Sequence, residues 1–304
     1  MTRIQITSPV VLHVGYSKAG STTIQRIFDA DTSLRHSDRG DMFRQLTSPN
    51  ALAWDRDACI DFFERELQSA RDAEQISVHS HERLSGNPHS GHYDDTAIAD
   101  RIRSVFADPR IVICIREQCG MIASCYRQYV RVGGVLAFEE YLEPVLDYRM
   151  PGFDPSKYEY DRLIGLYIQR FGVDAVHVVL LEDFAEDPQG TATDLLRFCG
   201  VSDPEPPSVG RTNTGLSDAE ILERLSHNRR NPPRSSLIPF RPDRGSWLDR
   251  IRRSVRPGNR GGDGPLDIDL TVRARFEGRY ADSSARLSKI LDRNLDLNGY
   301  QMPG

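Results

Sequence analysis

The feature that most constrains this chain is an eleven-residue stretch, His-Val-Gly-Tyr-Ser-Lys-Ala-Gly-Ser-Thr-Thr, at residues 13–23. An apolar run at 9–15 leads into it and stops at Gly15. A helical pattern leaves it near Ser21, with Ile24, Ile27 and Phe28 at helical spacing. A glycine-bearing loop between a strand and a helix N-terminus is an anion site: backbone amides face the ligand and the helix start adds partial positive charge. Gly15 and Gly20 let the backbone approach closely, and the hydroxyls of Ser21, Thr22 and Thr23 add donors. The standard nucleotide loop ends in Gly-Lys-Ser/Thr. Here Lys18 comes two residues before Gly20.

The lysine is conspicuous for a second reason. Of 39 basic residues only Lys18, Lys157 and Lys289 are lysines. Lysine is a compact point charge and proton donor, whereas arginine is a planar fork. A chain that uses arginine almost everywhere has kept a lysine inside its glycine loop, which favours a chemical role there.

The remaining pattern sets the fold class. Strand-like runs at 75–80, 110–116 and 175–182 alternate with helical patterns at 58–70, 95–106, 118–130 and 191–200, the last ending at Gly200. Such alternation predicts an α/β fold, a P-loop-like parallel sheet flanked by helices on both faces, in one domain over residues 1–304. A further helix is predicted from Ser217, with Glu220 at the capping-box position, and a single final helix over 272–295. Residues 229–266 are rich in Arg, Pro and Gly and read as a loop or lid. Within them, 247–255 places Trp247, Leu248, Ile251 and Val255 on one helical face, fit for core packing ahead of membrane contact.

Composition removes several classes. Hydrophobic residues are 38% and charged residues 27%, as in a soluble globular protein. The net charge of −5 implies no general affinity for nucleic acid. Neither a leader sequence nor an apolar run of membrane-spanning length is present. Five cysteines without a C-x-x-C pair read as reduced, buried thiols in a cytoplasmic protein.

Other polar residues fall where chemistry is expected. Arg116 follows the 110–116 strand's apolar run and Ser124 lies eight residues on in the next helix. An arginine at the carboxyl end of a strand and a hydroxyl on the following helix can grip one phosphate together. With the first loop, they suggest a ligand carrying two separated phosphates. His79, His81, His89 and His92 fit no zinc-site spacing. Glu182 and Asp183 follow a strand and read as capping and turn residues before Pro188. Trp54 reads as a packing residue ahead of an adenine platform.

These motifs resemble a family. Residues 16–23, Tyr-Ser-Lys-Ala-Gly-Ser-Thr-Thr, are similar to the Tyr-Pro-Lys-Ser-Gly-Thr-Thr loop of sulfotransferases that use 3′-phosphoadenosine 5′-phosphosulfate. Arg116 and Ser124 match the Arg and Ser, eight apart, that grip the 3′-phosphate in that family. The stretches 180–201, 211–225 and 286–300 resemble later segments of its bacterial members. Ser17 stands for the usual Pro and Ala19 for the usual Ser, and neither change removes a backbone donor. The Lys-Gly element of animal cytosolic members is absent, and Arg211 is the candidate to replace it.

The resemblance implies sulfuryl transfer from 3′-phosphoadenosine 5′-phosphosulfate to a hydroxyl or amine of a small-molecule, carbohydrate or glycolipid acceptor. It implies donor contacts from Ser17, Lys18, Ala19, Gly20, Ser21, Thr22, Thr23, Arg116, Ser124 and Arg211, with Lys18 at the bridging oxygen. It also implies a base near Ser80-His81-Glu82, with Glu82 first and His81 second. A nucleotide-dependent kinase on the same architecture and a catalytically inactive binding protein stay open as alternatives.

Overall fold

The computed structural model describes residues 4–91, 93–143, 146–147, 150–208, 216–231 and 267–304. Its first half runs β1 (Val10–Gly15), α1 (Ser21–Ala30), β2 (Leu34–His36), α2 (Arg39–Met42), α3 (Arg56–Asp72), β3 (Ile76–Ser80), α4 (Asp95–Val105), β4 (Arg110–Ile115) and α5 (Gln118–Arg131). Next come α6 (Phe138–Leu142), a short antiparallel pair β5 (Leu146–Asp147) and β6 (Met150–Pro151), α7 (Tyr160–Phe171) and β7 (Val176–Leu180). The chain then forms α8 (Asp183–Glu186), α9 (Pro188–Cys199), α10 (Asp218–Arg230), α11 (Ile268–Arg275) and α12 (Ala281–Leu291).

Five strands make the main sheet in the order β2-β3-β1-β4-β7, all parallel. Successive strand residues point to opposite faces. Every residue of β1 is buried, as are all but the first of β4, so helices cover both faces of the sheet centre. This is the α/β architecture expected from the alternating runs. β1 lies centrally and its register against β4 slips by one residue between His13 and Gly15. An extra residue of this kind bends a strand and redirects the chain beyond it. Here the strand feeds the glycine loop.

Two sequence expectations need revision. The single C-terminal helix is two helices, α11 and α12, separated at Gly278 in the left-handed region (φ 69°). The Arg/Pro/Gly-rich segment begins later than 229, because Arg229 and Arg230 are the last turn of α10. Residues 232–266, with the 247–255 segment inside them, lie outside the described residues. The helix over 118–130 forms as expected and extends to Arg131. Its packing is fixed by Arg127, which reaches Asp218 of α10 at 2.8 Å and Asp269 of α11 at 2.5 Å. All five cysteines are buried and free. Among the described residues no helix is long and apolar enough to cross a membrane.

The sheet also buries histidines. His13 Nδ1 pairs with Ser80 Oγ at 2.7 Å, and Gln25 donates to that same hydroxyl at 2.9 Å. His79 sits between Ser37 Oγ at 2.6 Å and Ser77 Oγ at 3.1 Å. Burial holds both imidazoles neutral, lowering each to about 3, with neighbouring His36 adding to the effect. Between pH 6.5 and 3 the unfolded chain therefore binds protons that the native state refuses. Stability is full above pH 6.5 and falls as the pH drops. Urea unfolding should lose about 2 kcal/mol per buried histidine between pH 7.5 and pH 5. His79→Gln should remove about one proton from that dependence, and a pH-independent midpoint for the parent protein would contradict the assignment.

Candidate active site

The site gathers at the carboxyl ends of β1, β3 and β4, where ligands bind in open parallel sheets. Gly15 (φ 106°) closes β1. A Cβ there would lie 2.8 Å from the Glu82 carbonyl oxygen and 2.9 Å from Ser85 Oγ. Only glycine lets the end of β1 press against the turn that carries Glu82.

The loop itself is pinned from below. The Tyr16 amide donates to Cys114 O at 2.6 Å, and the Tyr16 ring packs against Tyr160 at 5.0 Å. Ala19 is fully buried and its carbonyl accepts from the Cys114 thiol. Ser21 Oγ donates to Tyr16 O at 3.2 Å, so this hydroxyl braces the loop. Lys18 (φ 71°) and Gly20 (φ 93°) both take left-handed backbone. Such turns form concavities of backbone amides suited to anions. The first-turn amides of α1, at Ser21 and Thr22, have no intrahelical acceptor, and Gly20 supplies the N-cap position without a side-chain cap. Thr22 is exposed, and Ser17, Lys18 and Thr23 are half-buried.

Arg116 comes directly after β4, and its carbonyl accepts from Tyr160 Oη at 2.7 Å. Its guanidinium lies across the first turn of α5, over Gly120: a Cβ at Gly120 would stand 3.1 Å from Arg116 Nε and 3.2 Å from Nη2. A side chain at this position would crowd the guanidinium. Ser124 is one turn further along the same side. The structure thus brings Arg116 and Ser124 together, as their spacing suggested.

Lys18 connects the parts. Burial, followed by the neighbouring Arg131 charge, holds its ammonium below the usual lysine range. Cys125 and Glu82 work the other way, and Arg116 adds to the lowering. Among the described residues, the side chains of Lys18, Glu82, Arg116, Ser124 and Arg131 make no hydrogen bond or ion pair. Three cations converging with one carboxylate repel one another, and an anionic ligand would relieve that repulsion.

His81 is used differently from Glu82. Its Nδ1 accepts the Arg83 amide at 3.0 Å, capping the short helix Glu82–Ser85, and its ring stacks on Phe43 at 5.6 Å. Nδ1 must be unprotonated to accept, so the neutral ring carries its proton on Nε2. Glu182 and Asp183 are likewise engaged. Glu182 Oε1 accepts the Glu117 amide at 2.9 Å and Asp183 pairs with Arg293. Trp54 packs on the core, donates to Gln45 O at 2.9 Å and lies under Arg101. His89 pairs with Tyr141 Oη at 3.1 Å. Among the described residues no group of three or more His, Cys, Asp or Glu could hold a metal ion. Arg211 and His92 lie outside the described residues.

Arg131 was not singled out from the sequence. The signal was present: it lies seven residues after Ser124, two helical turns on the same face.

The described residues thus form a parallel α/β sheet with a lysine-bearing glycine loop after β1 and an Arg–Ser pair after β4. The model of the sulfotransferase family matches residues 9–205, and the chain belongs to that family. A sulfotransferase from Alicyclobacillus acidocaldarius shares the fold with a TM-score of 0.58 and 18% identity, over 97% of this chain and all (100%) of that one. The sulfotransferase domain of the Synechococcus PCC 7002 olefin synthase aligns with a TM-score of 0.46 and 15% identity, over 83% of this chain and 94% of that one. A search of the curated proteins returns no match.

Proposed function

We propose that this sulfotransferase moves the sulfuryl group of 3′-phosphoadenosine 5′-phosphosulfate to a hydroxyl or amine of a small-molecule or carbohydrate acceptor. The observation that carries the reading is the convergence of Lys18, Arg116 and Glu82, none of them paired among the described residues. Donor chemistry fits those groups. The loop amides and Lys18 suit a 5′-phosphate, and Arg116 with Ser124 suits a 3′-phosphate. Ser17, Ala19, Gly20, Ser21, Thr22 and Thr23 then serve through the loop backbone and hydroxyls, and Arg211 is assigned to the 3′-phosphate by its place in the sequence.

In this reading Glu82 takes the acceptor proton as the acceptor oxygen bonds to sulfur. Lys18 meets the charge that builds on the bridging oxygen as the old sulfur–oxygen bond breaks. Adenosine 3′,5′-bisphosphate leaves, so atoms and charge balance. A kinase reading lacks support, because Glu182 and Asp183, the nearest acidic candidates for magnesium, are committed to Glu117 and Arg293.

Calorimetry tests the two-phosphate site. Adenosine 3′,5′-bisphosphate should bind about tenfold or more tighter than AMP, which lacks the 3′-phosphate. Arg116→Ala should erase most of that difference. Equal binding of the two nucleotides to the parent protein would sink the roles given to Arg116 and Ser124.

A further inference from the structure

The carboxylate and the lysine assigned to the reacting bond come from different elements. Lys18 sits in the loop after β1, and Glu82 sits in the turn after β3. Their separation matters, because a misplacement of about 1 Å can cost on the order of 100-fold in rate. The two strand ends already touch. The His81 amide donates to His13 O at 3.1 Å, and Gly15 lies so close to the Glu82 backbone that a Cβ would stand 2.8 Å from its carbonyl oxygen.

Beneath these contacts lies a buried polar knot. His13 and Ser80 face each other across the β1–β3 ladder, and Gln25 reaches them from the second turn of α1. Ser80 Oγ pairs with His13 Nδ1 at 2.7 Å and accepts from Gln25 Nε2 at 2.9 Å. A serine hydroxyl has one proton and two lone pairs, so it can serve both neighbours at once. His13 and Ser80 are fully buried and Gln25 is 2% exposed. The knot joins the strand that leads to Lys18, the helix whose first amides face the loop, and the strand that leads to Glu82. Ser80 is its centre, two residues before Glu82.

Stability alone does not account for this arrangement. Apolar groups of the same shape in place of buried hydrogen-bond partners are often neutral or stabilising. Here the polar choice also leaves His13 Nε2 buried without a hydrogen-bond partner among the described residues. What hydrogen bonds supply that apolar packing lacks is direction, which fixes one element against another. His79 makes the contrast. Its serines, Ser37 and Ser77, lie after β2 and within β3, and these bonds reach neither β1 nor α1.

We propose that Ser80 is a positioning residue: its hydroxyl, shared between His13 and Gln25, sets the Glu82 turn against the lysine loop. Being fully buried, it touches neither donor nor acceptor. The proposal rests on the sulfuryl-transfer reading and adds to it the buried group that holds the base and the leaving-group cation at working distance.

The test is a double-mutant cycle on the full chain. Adenosine 3′,5′-bisphosphate released from 3′-phosphoadenosine 5′-phosphosulfate is counted in a single turnover, with 2-naphthol or water as acceptor. Ser80→Ala should slow release by about tenfold or more and leave bisphosphate affinity within about threefold. In the Glu82→Gln background the same change should cost less than about twofold, since no base remains to be placed. Gln25→Leu keeps the His13–Ser80 pair, so its loss should be smaller, about threefold, with the same failure of additivity. It carries the cycle if Ser80→Ala does not fold. Hydrogen exchange gives a second readout. In either variant the amides of residues 81–86 should exchange about tenfold or more faster while α7 and β7 keep their rates. The proposal is overturned if the folded variants release bisphosphate at the parent rate, if the loss is equal in both backgrounds, or if exchange rises uniformly along the chain. A parent protein that releases no bisphosphate from the donor strikes the sulfuryl-transfer reading instead. Exchange at 81–86 then still judges whether Ser80 holds that turn.

Discussion

Lys18→Ala should cut single-turnover sulfuryl transfer by about 100-fold or more while weakening adenosine 3′,5′-bisphosphate binding by less than about tenfold. The asymmetry comes from when the charge appears. On the proposed reading, loop amides, the start of α1, Arg116 and Ser124 would hold the nucleotide in the ground state without this side chain. The bridging oxygen gains charge only as its bond to sulfur breaks, so a cation there is worth most in the transition state. The ammonium is also prepared for the task. It is half-buried, with Arg131 and Arg116 among the charges that act on it, so its own charge is held at a cost that an anion repays. Lys18→Arg should not restore full rate. The guanidinium is larger, transfers a proton poorly and would meet the two arginines already beside it. Transfer and affinity are measured on the same variants. Equal losses in the two would make Lys18 a plain phosphate anchor.

Much of this was readable because it depends on local pattern. The strand–loop–helix around Gly15 and Gly20 is a contiguous signal, and it folds as its pattern implies. Apolar runs of five or six residues cannot be solvent-facing strands, so β1 and β4 announced a sheet covered on both sides. The Arg116–Ser124 pair was legible because the two stand eight residues apart across the first two turns of α5. What the sequence could not give was contact between distant segments. Nothing in the sequence explains Gly120 within the helix, whereas in the fold the Arg116 side chain lies over it. The C-terminal pattern ran on through Gly278, since one glycine in a periodic stretch does not reveal that its φ will be positive. Spacing puts Arg131 on the face of Ser124, but its lack of a hydrogen-bond or ion-pair partner among the described residues depends on contacts that spacing does not show. The resemblance placed Glu82 ahead of His81 as the base, and the Arg83 amide on His81 Nδ1 is a contact that the sequence did not show.

Glu82→Gln should leave bisphosphate binding intact and lower transfer by about 100-fold or more. The variant keeps the side-chain shape and its place on the turn that Gly15 holds against β1, and removes only the capacity to take a proton. Product nucleotide should bind as well or slightly better, because a negative charge beside Lys18 has gone. His81→Ala makes the contrast. His81 Nδ1 caps the helix that begins at Glu82, so its loss should cost about 1 kcal/mol of stability, read by urea unfolding. Activity should fall far less than in Glu82→Gln, by an amount that reflects loosening of the Glu82 turn. An active Glu82→Gln beside a dead but folded His81→Ala moves the base to His81, with the ring turned so that the Arg83 amide is released. If both variants turn over at the parent rate, the proton leaves by another group and Glu82 serves the electrostatics of Lys18 alone.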